Sequence, residues 1–159
     1  MKLTFLDAST VDVGDINIDC IREHGDLIIH STTSNNETLQ RVIDSEIIIT
    51  NKVVIDKPII EGSKKLKLIV VSATGYNNID VEAAKTNNVT VCNVVDYSTP
   101  IVAQHTISLI LNLCGQTYKY LNEKSLWPSS PIFTRLDHRV TEISGKTLGI
   151  VGVGTVSYT

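Results

Sequence analysis

Short apolar runs alternate with stretches of helical periodicity over about the first 97 residues. The runs are rich in β-branched residues and predict five strands, over residues 2–6, 26–30, 46–50, 65–72 and 89–94. Because the runs are continuous rather than interrupted by polar residues, both faces of each strand are expected to be buried, as in a parallel sheet flanked by helices. The pattern therefore predicts an α/β fold, a doubly wound parallel sheet that residues 1 to about 97 complete.

Helices are predicted between these strands from their terminal residues. The first ends at Gly25, a residue typical of helix C-termini. The second begins with Ser34 and Glu37, which have the spacing of a capping box. The third is capped by Asp80 and closes in the left-handed conformation at one of the asparagines 87–88.

The pattern changes after residue 97. A long helix is predicted over residues 98–121, and because it is apolar on nearly all sides from Ile101 to Leu113, it is expected to be buried. Residues 122–145 hold two of the four prolines and predict an extended, irregular arm. Residues 146–154 then predict a second strand followed by a glycine turn.

The loop after the fourth strand is a candidate binding site, because open α/β sheets bind ligands at the C-terminal ends of their strands. The backbone N–H groups of Ala73, Thr74 and Gly75 can form an anion-binding nest there. The alternative is a plain connecting loop in which Gly75 makes the turn. Lys52, after the third strand, could also reach an anion, although a solvated lysine is the favoured interpretation.

Polar residues interrupt the long helix at Gln104, His105 and Thr106. Buried polar groups need partners. These side chains either bond to neighbouring backbone or line a cleft, and the sequence favours neither interpretation.

The glycine turn near the end of the chain resembles a dinucleotide-binding fingerprint. Gly152 permits a tight turn, and Gly154 allows backbone to approach a pyrophosphate. Ser157 stands at the third glycine position of the fingerprint, and the helix, strand and acidic residue that complete such a site do not follow. Two glycines after a strand are also typical of an ordinary tight turn.

Composition narrows the class of partner. Net charge is −3, from 14 basic and 17 acidic residues, and no basic stripe is present, which disfavours nucleic-acid binding. Cys20, Cys92 and Cys114 form no CxxC pair and the histidines show no metal-ligand spacing, so buried reduced thiols of a cytoplasmic protein are expected, and no metal. No signal-peptide core is apparent, and the most apolar run, ISLILNLCG, is too short to span a bilayer.

Six stretches occur together in a recognisable order. They are IIITNKVVI (47–55), LKLIVVSATGYNNIDVEAAK (66–85), VTVCNV (89–94), YSTPIVAQHT (97–106), LW (126–127) and EISGKTLGIVGVG (142–154). In order and spacing they resemble the D-isomer-specific 2-hydroxyacid dehydrogenases, in particular the glycerate dehydrogenase (hydroxypyruvate reductase) branch. The resemblance extends from Met1 to Val156.

The resemblance implies a flavodoxin-like substrate domain over residues 1–97, which lacks the C-terminal helix that returns to complete it in the family. Over residues 98–159 it implies a linker helix, a dimerisation arm (121–146) and the truncated start of a Rossmann domain. The implied cofactor is NAD, with NADP not excluded, and the substrate is a small 2-hydroxy or 2-keto acid. Ala73, Thr74 and Gly75 match the loop that binds the substrate carboxylate. The residues that match cofactor-binding positions are Thr74, Thr106, Gly152, Gly154, Thr155 and Val156.

The chain departs from the family pattern at Val95 and Asp96, where Pro-Gly is frequent, and at Ser157, where Gly is usual. The family chemistry also needs an Arg that polarises the keto acid and a His, oriented by a Glu, that carries the proton. These come from the later part of such proteins, and no residue here matches them. The resemblance therefore implies the N-terminal half of an oxidoreductase, with no catalytic residue and no activity alone.

A different class of function remains open. The chain could be a non-catalytic product, such as a weak carboxylate binder, a module that pairs with an intact homologue through its arm, or the product of an eroded gene.

Overall fold

A computed structural model of the protein describes residues 1–152 and 154. They divide into two units, of which the first is Met1–Val95 and the second begins at Asp96. The first unit contains five strands, β1 (Lys2–Phe5), β2 (Asp26–Ile29), β3 (Ile47–Thr50), β4 (Leu68–Val71) and β5 (Thr90–Asn93). All neighbouring strands are parallel, in the order β2-β1-β3-β4-β5. This is the flavodoxin-like order, so the predicted fold class is confirmed.

The connections of the first unit are short helices. Two 3-10 helices, Ala8–Thr10 and Ile18–His24, join β1 to β2, and the remaining connections contain α1 (Asn35–Val42), α2 (Lys57–Gly62) and α3 (Val81–Thr86). Helix α2 was not predicted, because its six residues are too few to show a helical period. Its terminal signals are nevertheless present, since the Asp56 carboxylate accepts a hydrogen bond from the Ile59 N–H at 3.2 Å.

The predicted helix ends occur where the sequence indicates. The Ser34 N–H donates to the Glu37 carboxylate at 3.1 Å, which forms the reciprocal half of the capping box. This contact and the Ser34 hydroxyl hold the pKa of Glu37 below its usual value, the hydroxyl being the larger cause. The Ala83 N–H donates to Asp80 at 2.9 Å, and Asn88 takes the left-handed conformation with φ 57°.

Gly25 ends the longer 3-10 helix in a conformation that glycine alone adopts readily, with φ 152°. A Cβ placed there would lie 2.3 Å from the Met1 carbonyl oxygen. This glycine therefore permits the close approach through which the Asp26 N–H bonds to the Met1 carbonyl at 2.9 Å and β2 begins beside β1.

Both faces of the sheet are packed, but unequally. The larger cluster lies between the sheet and α1, α2 and α3, and its fully buried members are Leu6, Val42, Ile48, Ile55, Ile69, Val71 and Ala84. The smaller cluster lies on the opposite face, beneath the 3-10 helices, and consists of Leu3, Phe5, Ala8, Leu27 and Ile49. The expectation of a sheet buried on both faces therefore holds for its central strands.

The expectation that the cysteines are buried is wrong, since none of the three is buried. Cys20 and Cys92 are exposed, and Cys114 is half-buried. Cys20 belongs to a 3-10 helix that buries no residue. Cys92 lies on the edge strand β5, next to Val91, which packs on the larger cluster, so its own side chain faces the opposite, less covered side.

The second unit contains α4 (Thr99–Gly115), α5 (Thr117–Asn122) and a 3-10 helix, Lys124–Ser129. The single helix predicted over 98–121 is therefore interrupted, at Gln116, whose φ is 52°. The prediction that this helix is buried is also wrong, because no residue of α4 is buried and Ile101 is 61% exposed. A helix that is apolar on all sides needs neighbours on all sides, and the unit supplies one short helix and an irregular arm.

No helix in the described part of the chain combines the length and apolar character needed to cross a bilayer.

The strand predicted at Thr147–Val151 is not formed. Its residues have no regular structure, and the Leu148 side chain is 59% exposed. A strand exists only where neighbouring strands take its backbone hydrogen bonds, and residues 96–152 contain no strand that could do so.

The arm is irregular, as predicted, but polar contacts hold it together. The Glu123 carboxylate lies 3.1 Å from the Arg135 guanidinium and 3.0 Å from His138 Nε2. The Tyr120 hydroxyl donates to the His138 carbonyl at 3.1 Å. Arg135 also binds Asp137 at 2.7 Å, and this hydrogen bond holds the pKa of the Asp137 carboxyl below its usual value. The arm thus forms an ordered loop around these side chains.

Candidate functional site

The candidate site lies in the first unit, where the C-terminal ends of β1, β3 and β4 share one edge of the sheet. Pairing between β3 and β4 continues one residue past the strands, since the Ser72 N–H donates to the Thr50 carbonyl at 2.8 Å. The far end of the loop after β4 is fixed as well. The Asn78 side chain donates to the Val53 carbonyl at 2.9 Å, and the Asp80 N–H donates to the Ile55 carbonyl at 3.0 Å.

Residues 74–77 form the exposed part of this loop, directly after Ala73. Ala73 is 6% exposed, whereas Thr74 and Gly75 are exposed. The Ala73 carbonyl accepts a hydrogen bond from the Val94 N–H at 3.1 Å, and the Thr74 carbonyl accepts one from Asn93 Nδ2 at 2.8 Å. Both carbonyls are therefore directed towards the chain at the end of β5.

The orientation of these carbonyls fixes the orientation of the N–H groups that follow them. In a planar trans peptide the carbonyl and the next N–H point in opposite directions. The Thr74 and Gly75 N–H groups therefore point away from β5, side by side. Within residues 1–152, neither donates a hydrogen bond to a protein acceptor. Such a pair of adjacent donors suits an anion, and carboxylates bind it through charge-assisted hydrogen bonds.

The alternative, that Gly75 is needed to make the turn, loses its steric basis. Gly75 is not among the glycines with positive φ, and a Cβ placed on it would meet only the Asn77 side-chain oxygen, at 3.5 Å, an ordinary contact. What the missing side chain does provide is open access to the neighbouring N–H groups. Anion binding by this loop stays a prediction, for which the two N–H groups have a suitable orientation.

Asp7 is a feature of this edge that the sequence analysis missed. It follows β1 and is 3% exposed. Its carboxylate accepts hydrogen bonds from the Asn51 N–H, at 2.9 Å and 3.2 Å, and from the Lys52 N–H at 2.6 Å. An acidic residue directly after an apolar strand was the available signal, but its partners lie more than 40 residues away. Lys52 itself is exposed, as expected of a solvated lysine.

A small cleft adjoins the loop. Its volume is about 270 Å³, and it is lined by Tyr76, Val81, Val91 and Asn93. Because Asn93 also holds the Thr74 carbonyl, the cleft lies on the carbonyl side of the loop, opposite the free N–H groups.

The remaining predicted site residues belong to the second unit. Thr106 is exposed on α4, and its hydroxyl donates to the Val102 carbonyl at 2.8 Å. Gln104 and His105 are exposed too, so neither is a buried polar group that needs a partner. Gly152 has φ 127°, and a Cβ placed on Gly154 would meet nothing within 4 Å. The predicted positions Thr155, Val156 and Ser157 lie outside the described residues.

No group of three or more His, Cys, Asp or Glu side chains in the described residues could hold a metal ion.

Comparison with known proteins identifies the family. The family model for the catalytic domain of D-isomer specific 2-hydroxyacid dehydrogenases matches residues 7–159. The hydroxypyruvate reductase of Blautia hydrogenotrophica is 30% identical over 161 residues, which cover 98% of this chain and 50% of that protein. The chain spans about half the length of the curated relatives it matches.

Solved structures agree on the fold. Apo D-lactate dehydrogenase from Escherichia coli is 23% identical with a TM-score of 0.71, and the match covers 98% of this chain and 50% of that one. The NAD⁺-bound 3-phosphoglycerate dehydrogenase of Entamoeba histolytica is 24% identical with a TM-score of 0.61, over 70% of this chain and 38% of that one. With the sequence motifs, the parallel sheet and the family model in agreement, the chain belongs to the D-isomer specific 2-hydroxyacid dehydrogenase family.

Proposed function

We propose that this chain is the substrate-binding part of an NAD-dependent oxidoreductase that interconverts a small 2-hydroxy acid, such as glycerate, and its 2-keto acid. The observation that supports it is the pair of N–H groups of Thr74 and Gly75 at the sheet edge, which have no acceptor among the residues that the structure describes. A 2-hydroxy acid always presents a carboxylate, and two adjacent N–H donors match its two oxygens.

In this proposal residues 73–75 hold the substrate carboxylate. Ala73 is buried and fixes the loop through its carbonyl, while Thr74 and Gly75 provide the donors. Main-chain donors on a loop anchored at both ends are already oriented before the ligand arrives, so little freedom is lost on binding. Fixing the carboxylate fixes the adjacent C2, the atom that exchanges the hydride, and such positioning is a large part of catalysis of this kind.

The proposed cofactor is NAD, or NADP, which supplies or accepts the hydride when bound. Thr74 and Thr106 are the proposed contacts near the nicotinamide, and the positions proposed for the pyrophosphate are Gly152, Gly154, Thr155 and Val156. The positive φ of Gly152 and the open space at the Gly154 Cβ position suit backbone that a phosphate approaches closely.

The domain roles follow the same proposal, with residues 1–97 as the substrate domain and 98–159 as linker helix, arm and cofactor-binding segment. We propose that the intact protein is a cytoplasmic homodimer that pairs through residues 121–146. Exposed apolar side chains on this arm, Leu126, Trp127, Ile132, Phe133 and Leu136, support pairing, since such surface favours association.

The test of substrate binding is an amide NMR titration of the 159-residue chain with D-glycerate. We expect saturable shifts at Thr74 and Gly75, and none with glycerol, which has the same carbon skeleton without the carboxylate. Gly75→Pro removes one donor and should abolish the response. Gly75→Ala keeps the donor in an ordinary steric environment and should retain it. Equal responses to glycerate and glycerol, or shifts elsewhere only, would refute the site.

The same chain should show no turnover of hydroxypyruvate with NADH, because none of its residues matches the Arg, Glu and His of the family chemistry. Loss of NADH absorbance that follows the protein through chromatography would contradict this.

A further inference from the structure

Two pairs of successive N–H groups follow neighbouring strands at the C-terminal edge of the sheet. One pair, Asn51 and Lys52, follows β3, and the other, Thr74 and Gly75, follows β4. Strands β3 and β4 are neighbours with Thr50 opposite Val71, so the first pair directly follows one strand and the second lies two residues further along the chain that follows the other. Asp7 fills the first pair, whereas the second has no acceptor within the described part of the protein.

The filled pair shows how a carboxylate is held at this edge. Both Asp7 oxygens are used, and the shortest contact is 2.6 Å, to the Lys52 N–H. The Asn51 side chain is fixed too, because its Nδ2 donates to Thr10 Oγ1 at 3.0 Å. Asp7 thus ties the end of β1 to the backbone that follows β3, and hydrogen bonds to a charged acceptor of this kind are about twice as strong as neutral ones.

This arrangement places a negative charge beside a proposed carboxylate site. A buried Asp7 would disfavour a second carboxylate nearby unless a positive charge compensates. Lys52 is the residue whose backbone Asp7 holds, and it is exposed at the same edge, one strand away from Thr74. Its ammonium can therefore offset both carboxylates.

We propose that Asp7 is a positioning residue: it fixes the Asn51–Lys52 backbone so that the Lys52 side chain adds a positive charge to the carboxylate site formed by the Thr74 and Gly75 N–H groups. By occupying the first N–H pair itself, Asp7 also leaves the substrate carboxylate a single open pair, which sets its place at the edge. The inference rests on the proposed function, because it assigns residues to that same site.

The test uses the 159-residue chain, D-glycerate as the probe, and the Thr74 and Gly75 amide shifts as the readout. Lys52→Met should raise the dissociation constant roughly two- to fivefold, the range expected for one exposed charge, and reduce its dependence on salt. Lys65→Met is the matched control, because Lys65 lies before β4 at the opposite edge and pairs with Asp44. It should leave binding unchanged.

Asp7→Ala removes the anchor of Lys52 together with a repulsive charge, so its own effect on binding is the balance of the two. The test is the double variant, in which Lys52→Met should weaken binding less than it does in the unsubstituted chain, because Asp7 acts through Lys52. Added formate should restore the Asn51 and Lys52 amide shifts of Asp7→Ala, since formate can take the vacated acceptor position. The amide shifts of Leu68–Val71 show whether each variant is folded. If Asp7→Ala does not fold, Asp7→Asn, which keeps one acceptor oxygen, is compared with Lys52→Met in the same way.

The outcomes separate the two proposals. No glycerate-specific response in the unsubstituted chain overturns the proposed function and this inference with it. A normal response that Lys52→Met leaves unchanged, or Asp7 and Lys52 effects that simply add, overturns only this inference.

Discussion

A buried pair of hydroxyls provides a quantitative test of how the first unit is held together. Thr4 on β1 and Ser45, just before β3, are both fully buried, and their oxygens are 2.7 Å apart. In the part of the chain that the structure describes, neither hydroxyl has another hydrogen-bond partner. Each hydroxyl therefore depends on the other to satisfy its hydrogen-bonding capacity.

The expected effect of breaking this pair depends on whether one or both hydroxyls are removed. Thr4→Val keeps the side-chain shape but strands the Ser45 hydroxyl, and Ser45→Ala strands that of Thr4. An unsatisfied buried polar group costs about 1–3 kcal/mol, so each single variant should lose about that much free energy of unfolding. Removing both leaves no unpaired group, and the double variant should lose less than about 1 kcal/mol.

The assay is urea unfolding at 25 °C followed by circular dichroism, with the four proteins arranged as a double-mutant cycle. Thr86→Val is the control, because the Thr86 hydroxyl bonds to the Glu82 carbonyl on an exposed face. Its effect should stay within about 0.5 kcal/mol. If the two single losses add in the double variant, the hydroxyls do not depend on each other and the reasoning is refuted.

Two further predictions concern the close approach at Gly25 and the unpaired segment after the arm. Gly25→Ala combines a strained φ with a Cβ 2.3 Å from the Met1 carbonyl, and should destabilise the protein by about 2–6 kcal/mol in urea unfolding. Gly14→Ala is the control, because Gly14 has a strained φ of 93° but open space around its Cβ position. It should lower the free energy of unfolding by only about 1–2 kcal/mol. Equal losses in the two variants would show that the contact with the Met1 carbonyl is unimportant. In hydrogen exchange, Leu68–Val71 should be slow and Thr147–Val151 fast, because β4 is paired on both sides and the second segment is unpaired. Similar protection of the two would mean that residues 147–151 have found a partner.

The sheet could be predicted because its signals are local. Each β-branched run contains one of the five strands, and continuous apolar runs indicated parallel pairing. The helix ends at Ser34 and Asp80 were predictable for the same reason, since a cap and its hydrogen-bond partner lie three residues apart. The left-handed residue Asn88 also follows from local chemistry.

The features that were missed depend on residues distant in sequence. The exposure of α4 and the absence of a strand at Thr147–Val151 depend on which neighbours are present, and a hydrophobic pattern does not contain that information. Gln116 interrupts the helix directly after Gly115, so a local signal for this break was present and was not used. The role of Asp7 depends on Asn51 and Lys52, and no local pattern in the sequence links them.

The candidate site was predicted only in part, for a related reason. The motif placed Ala73, Thr74 and Gly75 at the C-terminal edge of the sheet, where the structure has them. The direction of their N–H groups, however, is set by Asn93 and Val94, at the end of the next strand. A sequence can therefore locate such a loop without showing whether its donors are open or occupied.

The donors of Thr74 and Gly75 are main-chain atoms, and this affects how the loop behaves under mutation. Every residue except proline carries the same N–H group, so a codon change at either position alters access to the donor but seldom removes it. An alanine scan would leave both donors in place and report little loss at these positions. The loop should accordingly tolerate drift in residue identity, whereas a proline, or a one-residue deletion that changes the spacing between β4 and Asn93, would be selected against.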